Sequence, residues 1–399
     1  MDKYEYIFVL QKQFKKDRIT KVGVAGSGNL EVVIKPLNRE QTTVIVYTAV
    51  TGFKSTWDEV IKRFIDEYPY AGLHIELHDA GAIPSVVSLR LRQAMETYQK
   101  GYHQKANYTE ATARNRIYSL VDEDSFNEFL LDKDTPSPTL PQLNIQIESD
   151  DGVIIGTAQF NGTKVAIASQ QKDFIGGSVG EVHGAKINGL TNYATKHQLP
   201  LILLIDSGGV RLQEANVGEI EISEIIRSIL EARSAGVKTI GVVCGTNGAY
   251  GGMGIISGIL DYLIVNQGAR IGVSGAEVIQ AVQGTEVLDS RDRPLVWRIY
   301  GGRTRYLQKA AQAYTSNKIS DIRATIIDAL QSLQKHPVLS LEQIQAEHKL
   351  LQKRIDAAKN CHEQGEWIAQ YAPDLKQYDI FNCSDNQFLS LAQKGIHDD

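Results

Sequence analysis

The chain is 399 residues long, 42% hydrophobic and 22% charged, which is ordinary globular chemistry with room for two or three domains and a sizeable core. A formal charge of −5 and an isoelectric point near 6.0 argue against a nucleic-acid binder, which normally shows a basic face. No signal-peptide pattern opens the sequence, and no apolar run reaches the roughly 18 residues that span a bilayer. The three cysteines (Cys244, Cys361 and Cys383) form no Cys-x-x-Cys pair and no disulfide ladder, so a cytoplasmic, reducing location is expected, with no membrane partner.

Residues 1–102 read as a small α/β unit. Lys21–Ala25 and Leu30–Ile34 are predicted strands, followed by a β-branched third over Thr43–Val50. Val60, Ile61, Phe64 and Ile65 give Trp57–Tyr68 helical spacing, and a short strand is expected at Leu73–Leu77. Pro84 is well placed for the first turn of a helix that runs to about Tyr98. The polar stretch "QKGYHQKANYTEATARN" then breaks all periodicity, and the domain boundary is placed near 100–106.

The second unit is expected over 103–399. Ala111–Asp122 and Ser125–Leu131 read as helical, and "DKDTPSPTLPQ" (132–142) holds three of the ten prolines and reads as a loop. Apolar strand-like runs then alternate with helices: "VIIGTAQF", "TKVAIASQ", a helix over Gly180–Lys196, "PLILLID", a helix over Ile220–Ala235, "KTIGVVCG", a helix over Gly251–Leu260, and "YLIVNQGARIGV". Strands such as Leu201–Ile205, apolar on both faces, predict central strands covered by helices, hence α/β layering. From about residue 340 the chain is polar and helical, and a helical C-terminal extension is expected.

Glycine is concentrated at special places. Four clusters, "FIGGSVGEVHGAKI" (174–187), "DSGGVRLQEA" (206–215), "GTNGAYGGMG" (245–254) and "RIGVSGAEVI" (270–279), mostly stand just after an apolar strand or just before a helix. Paired glycines there turn the backbone and present N–H groups into a crevice, aided by the partial positive charge of a helix N-terminus. Two such loops facing one another can stabilise a thioester oxygen as it gains negative charge. Close packing is the plainer explanation of any single pair.

"GGSVGEVHGAKI", "DSGGVRLQEA", "AYGGMG" and "GTEVLDSRDRPLVWRIYGGRTRY" (284–306) resemble the carboxyltransferases of the crotonase superfamily, and most specifically the β subunit of malonate decarboxylase. The resemblance implies a spiral of ββα units, a homologous γ subunit as partner, and backbone amides at Gly208, Gly209, Gly251 and Gly252 that cradle the thioester carbonyl. There is no Cys-x-x-Cys zinc ribbon and no biotin-carrier lysine motif, so neither metal nor biotin is expected.

"VGVAGSGNLEVVIKP" (22–36) and "HIELHDAGAIPSVVSLRLRQAME" (74–96) resemble the acyl-carrier subunit of the same family. There a serine in a Gly-Ser-Gly turn carries a phosphodiester-linked phosphoribosyl-dephospho-CoA arm, and Ser27 is the matching residue. The two glycines leave a serine at such a tip accessible, although the residues alone, without the resemblance, read first as a plain hairpin turn. A nucleotide-cradling loop is disfavoured, because Glu31 stands where a third glycine belongs and a strand follows, and no P-loop lysine is present. The chain thus resembles a fusion of carrier and β subunit. The implied partners are the γ subunit, an α subunit that acts as carrier-protein transferase, the prosthetic-group transferase that modifies Ser27, and a malonyl or acetyl thioester. The polar stretch near 99–107 is then expected to let the arm visit more than one site.

Arg211 binds a phosphate of the arm or pairs with Glu214. His183 is expected as a packed helix residue, Glu181 at a helix N-terminus, and Tyr250 and Cys244 in packing. His74 and His78 share even spacing on one strand, without the further ligands a metal needs. A biotin-dependent acyl-CoA carboxyltransferase subunit and a non-catalytic scaffold remain as alternatives.

Overall fold

The structure is a computed structural model, and it describes residues 2–333, 340–361, 366 and 380–395. Its N-terminal part contains β1 (Asp2–Val9), β2 (Lys12–Gln13), β3 (Thr20–Gly23), β4 (Leu30–Pro36), β5 (Gln41–Thr48), α1 (Lys54–Glu67), β6 (Tyr70–Ala71), β7 (Leu73–Asp79) and α2 (Pro84–Lys100). Five of these strands form one sheet in the order β1-β5-β7-β4-β3, while β2 and β6 pair separately. The sequence reading missed β1, an antiparallel edge strand whose half-buried residues alternate with exposed ones.

Alternation gives this sheet two different faces. Leu30, Val32 and Ile34 of β4, Val44 and Val46 of β5, and Leu73, Ile75 and Leu77 of β7 pack under α1 and α2. The intervening Lys21, Glu31, Lys35, His74, Glu76 and His78 belong to the opposite, polar face.

The second part contains α3 (Ala113–Leu120), β8 (Asn127–Glu128), β9 (Val153–Phe160), β10 (Thr163–Gln170), α4 (Glu181–His197), β11 (Leu201–Leu204), α5 (Asn216–Ser234), β12 (Thr239–Val243), α6 (Gly252–Ile259) and β13 (Tyr262–Val265). After these come α7 (Ala276–Gln283), α8 (Arg293–Tyr300), α9 (Gly302–Leu307), β14 (Ala313–Tyr314), α10 (Ile319–Leu333), α11 (Leu341–Ala358) and α12 (Asp385–Gly395). A seven-stranded sheet runs β14-β13-β12-β11-β10-β9-β8, parallel from β14 to β10 and antiparallel beyond. Its strands are apolar on both faces: Leu201 and Leu203 pack with α4, α5 and α6, while Ile202 and Leu204 pack with α3 and α10.

Two expectations need correction. Residues 125–131, read as helical, hold the short strand β8, because Asn127 and Glu128 complete the edge of the sheet against β9. The polar stretch near 99–107 is also no loose tether. Tyr102 exchanges hydrogen bonds of 2.9 Å with the Lys21 backbone and stacks on Tyr118 at 4.3 Å, and the Lys105 amide donates to Ser119. α11 supplies part of the expected helical extension, and the remainder up to α12 lies mostly outside the described residues. Among the described residues no helix is long and apolar enough to cross a membrane.

Candidate active site

The hairpin between β3 and β4 carries Ser27 at its tip. The Asn29 amide donates to the Gly26 carbonyl at 2.9 Å, closing a tight turn, and the Gly28 amide is anchored to the Ala80 carbonyl at 2.9 Å. The two glycines act differently. Gly28 has φ +72° and open space where a side chain would go, so it serves the backbone. A Cβ on Gly26 would lie 2.4 Å from the Asp173 carbonyl oxygen, so Gly26 permits a close approach to the second unit. Ser27 itself is exposed. An exposed hydroxyl on a pinned turn, with empty space beside it, fits a covalently attached arm.

The turn therefore abuts the loop that follows β10. Val24 and Ala25 pack with Phe174 and Leu140, and the next residues of that loop reach the glycine clusters. The Gly176 carbonyl accepts from the Gly208 amide at 2.9 Å and from the Asn247 side chain at 3.1 Å. Gly209 and Gly251 meet directly, since a Cβ on Gly251 would stand 3.3 Å from the Gly209 Cα, and their φ angles are +117° and +57°. The loops after β11 and β12 thus share one crevice at the carboxyl ends of parallel strands, where open α/β sheets place ligands.

Three of the four expected amides have partners inside the chain. Gly208 donates to Gly176, Gly209 to the Ser207 hydroxyl at 3.2 Å, and Gly251 to the Val273 carbonyl at 3.0 Å. The Gly252 amide, which opens α6, and the neighbouring Val210 amide have no partner among the described residues.

Two buried carboxylates hold these loops, and the sequence reading assigned neither. Asp206, fully buried at the end of the run "LILLID", pairs with Arg116 at 2.7 Å and accepts from the Asn247 amide at 2.7 Å and the Gly248 amide at 3.2 Å. Asp151 pairs with Arg211 at 2.9 Å and accepts from the His183 amide at 3.0 Å. An acidic residue ending a wholly apolar strand was the available signal for Asp206; Asp151, in a loop, offered none.

Arg211 resolves to the ion pair rather than to the arm. It is fully buried, its Nη1 bonds Asp151 and Glu214, and its Nη2 donates to the Asp151 and Ser178 carbonyls, so it presents no donor to a phosphate at the surface. His183 packs between Gln170 and the Asp151 carbonyl, and burial beside Arg211 and Lys186 holds its pKa well below the usual range. Cys244 is buried, which pushes its thiol pKa up, and Tyr250 packs on Tyr300 with ring centroids 5.7 Å apart. His74 bonds Glu76 at 2.6 Å while His78 stacks on Tyr47, so the even spacing serves the sheet face. Glu181 is exposed in the first turn of α4.

The polar face of the first sheet meets the second unit through buried charge. Lys21 donates to Ser149 at 2.9 Å and Asp150 at 3.0 Å, while Glu31 accepts from the Ser149 amide and hydroxyl. Arg114 joins Asp150 to Glu128 at 2.6 Å each, and Lys35 reaches Asp134 in the proline-rich segment at 2.8 Å. That segment, read as a loop, is a strap across the sheet.

A serine-bearing hairpin docked beside a crotonase-like strand-end crevice defines an acyl-carrier unit joined to a carboxyltransferase-type unit. The known proteins agree. Residues 17–98 match the family described as malonate decarboxylase delta subunit (MdcD), and 104–299 match the carboxyl transferase domain. Malonyl-S-ACP:biotin-protein carboxyltransferase of Malonomonas rubra is 31% identical, over 73% of this chain and 97% of its own length. A chain from the hetero-tetramer of a Pseudomonas malonate decarboxylase in complex with malonate is 32% identical, with TM-score 0.61, over 66% of this chain and 97% of that one. A chain of the Pseudomonas MdcD–MdcE hetero-dimer is 30% identical, with TM-score 0.50, over 62% of this chain and 96% of that one. The chain belongs to the malonate decarboxylase family, with the carrier and the carboxyltransferase-like subunit joined in one polypeptide.

Proposed function

We propose that this chain holds a malonyl thioester on its own carrier unit and, together with a γ subunit, decarboxylates it to the acetyl thioester and carbon dioxide without biotin. The observation that carries this reading is the position of the exposed Ser27 turn against the 172–177 loop that braces Gly208 and Asn247. A phosphoribosyl-dephospho-CoA arm on Ser27 supplies the thiol on which the acyl groups are held. The protein's part is positional and electrostatic. The Gly252 and Val210 amides would donate to the thioester oxygen as carbon dioxide leaves, Gly208, Gly209 and Gly251 shape the backbone that aims them, and the enolate carbon would take its proton from water or a partner-subunit acid. Asp206 and Arg116 fix the loops so that these dipoles need no reorganisation. An α subunit exchanges acyl groups on the carrier, and a dedicated transferase attaches the arm.

The acceptor named for the Malonomonas relative, a biotin protein, supports a second reading in which the carboxyl group passes to biotin. Intact mass and mapping of residues 22–35 come first: the arm's added mass on Ser27 is expected, and an unmodified Ser27 in cells growing on malonate overturns the carrier role. Isotope-labelled malonyl-loaded complex is then assayed with avidin. Undiminished carbon dioxide release supports direct decarboxylation, and abolition by avidin supports the biotin route.

A further inference from the structure

A polar groove of about 310 Å³ lies between the carrier unit and the second unit and begins at the Ser27 hairpin. Val24 and Asn29, which flank the turn, line one end; Arg90 and Gln93 of α2, with His103 and Lys105, line the rest. Arg90 is the unusual member. Its Nε donates to the Asn29 side chain at 2.9 Å and its Nη1 to the Gln93 side chain at 2.7 Å. Its Nη2 has no partner among the described residues and is not sealed from solvent.

Glu96, Glu110 and Asp173 also line the groove, yet the side-chain bonds of Arg90 go to Asn29 and Gln93 and to none of these carboxylates. Burial pulls the Arg90 pKa below its usual value, opposed by the charge of Asp173. The contrast with Arg114, Arg116 and Arg211 is plain, because each of those has a carboxylate in direct contact. A half-buried guanidinium held only by neutral amides, one of them on Asn29 two positions along the chain from Ser27, keeps one donor edge open and has the charge and the fork geometry that a phosphodiester satisfies.

We propose that this groove holds the nucleotide half of the Ser27-linked arm, with Arg90 donating to a phosphate of its phosphodiester linkage. The inference rests on the reading that Ser27 carries phosphoribosyl-dephospho-CoA. It divides the arm in two: the nucleotide is parked against α2, and only the thiol-bearing end sweeps toward the crevice.

The full chain is purified loaded, and again as Ser27→Ala without the arm. Phenylglyoxal labelling of Arg90 and backbone hydrogen exchange over 86–96 and 102–110 are compared. Labelling of Arg90 about 10-fold slower in the loaded protein, with slower exchange in both segments, is the expected result. Arg90→Gln in the loaded chain is expected to lose the protection of 102–110, and Arg90→Lys to keep part of it, while exchange elsewhere confirms folding. Equal labelling and exchange in loaded and Ser27→Ala protein, with the arm's mass present, overturns the groove assignment and leaves the carrier role standing. Absence of the arm's mass removes the carrier role itself. Equal protection of the Ser27→Ala protein by millimolar free dephospho-CoA overturns the tethered assignment, making the groove a site for exchangeable nucleotide.

Discussion

The two loop systems of this chain stand on opposite strand geometries. Ser27 occupies the tip of an antiparallel pair, β3 and β4, whereas the glycine crevice follows the parallel strands β11 and β12. A hairpin tip projects a single residue outward. Parallel strand ends bring several loops together, and their backbone groups converge on one space. The glycines differ accordingly: at the tip Gly28 meets nothing, while in the crevice Gly209 and Gly251 press on each other. A group to be carried suits the first geometry, and charge stabilisation by fixed amides suits the second.

The harshest way to break that contrast is Ser27→Ala. It should abolish arm attachment and all carrier-dependent turnover while leaving unfolding within about 0.5 kcal/mol of the parent, read by intact mass and urea titration, because an exposed tip holds nothing up. Asp206→Ala should act in the opposite way. It strands Arg116 in the core and frees the Asn247 and Gly248 amides, and a loss of about 3–5 kcal/mol is expected in urea unfolding. If Asp206→Ala unfolds like the parent, the crevice does not depend on that buried pair.

Gly251→Ala sharpens the comparison at lower cost. The added methyl enters a φ of +57° against Gly209, so about 1–3 kcal/mol of strain and a 10- to 100-fold slower decarboxylation by loaded complex are expected, with Ser27 still modified. Unchanged single-turnover rates would argue against the crevice as the reacting site.

The smallest effect concerns the seam between the two regions. Glu148 is buried, and that burial, together with Glu31 and Asp150, pushes its carboxyl pKa well up. A raised folded-state value means its contribution is intact below the ordinary Glu range and is lost as pH climbs toward the raised value. Glu148→Gln removes the titration, so the variant should match the parent near pH 4 and exceed it by about 1 kcal/mol at pH 8. A constant difference across that range in thermal melts would exclude Glu148 as the titrating group.

Much of this was legible because it is local. "AGSGN" between two β-forming runs marks the hairpin, and apolar runs ending in Gly-Gly mark the strand ends. What escaped the sequence reading is pairing over distance. Lys21 and Asp150 are 129 residues apart, Arg116 and Asp206 90, and Arg211 and Asp151 60. Periodicity shows that Lys21, Glu31 and Lys35 share a face, but a charged face ordinarily means solvent. Its partners here are Ser149 and Asp150 ahead of β9 and Asp134 in the proline-rich strap, whose composition reads as an open loop. Residues 99–107 misled for the same reason, since polar composition conceals that Tyr102 and Lys105 are tied down on both sides.

The neighbouring residues Asp150 and Asp151 have a consequence for anyone wishing to exchange parts between such enzymes. Asp150 receives Lys21 from the carrier, and Asp151, one peptide further on, receives Arg211 from beneath the crevice. A borrowed carrier without a lysine and a glutamate at the places of Lys21 and Glu31 would leave Asp150 and Ser149 short of partners in a dry seam. The misfit would reach the crevice through a single bond of backbone. Grafting the hairpin alone, from Val24 to Asn29, keeps that seam native and is the smaller transplant.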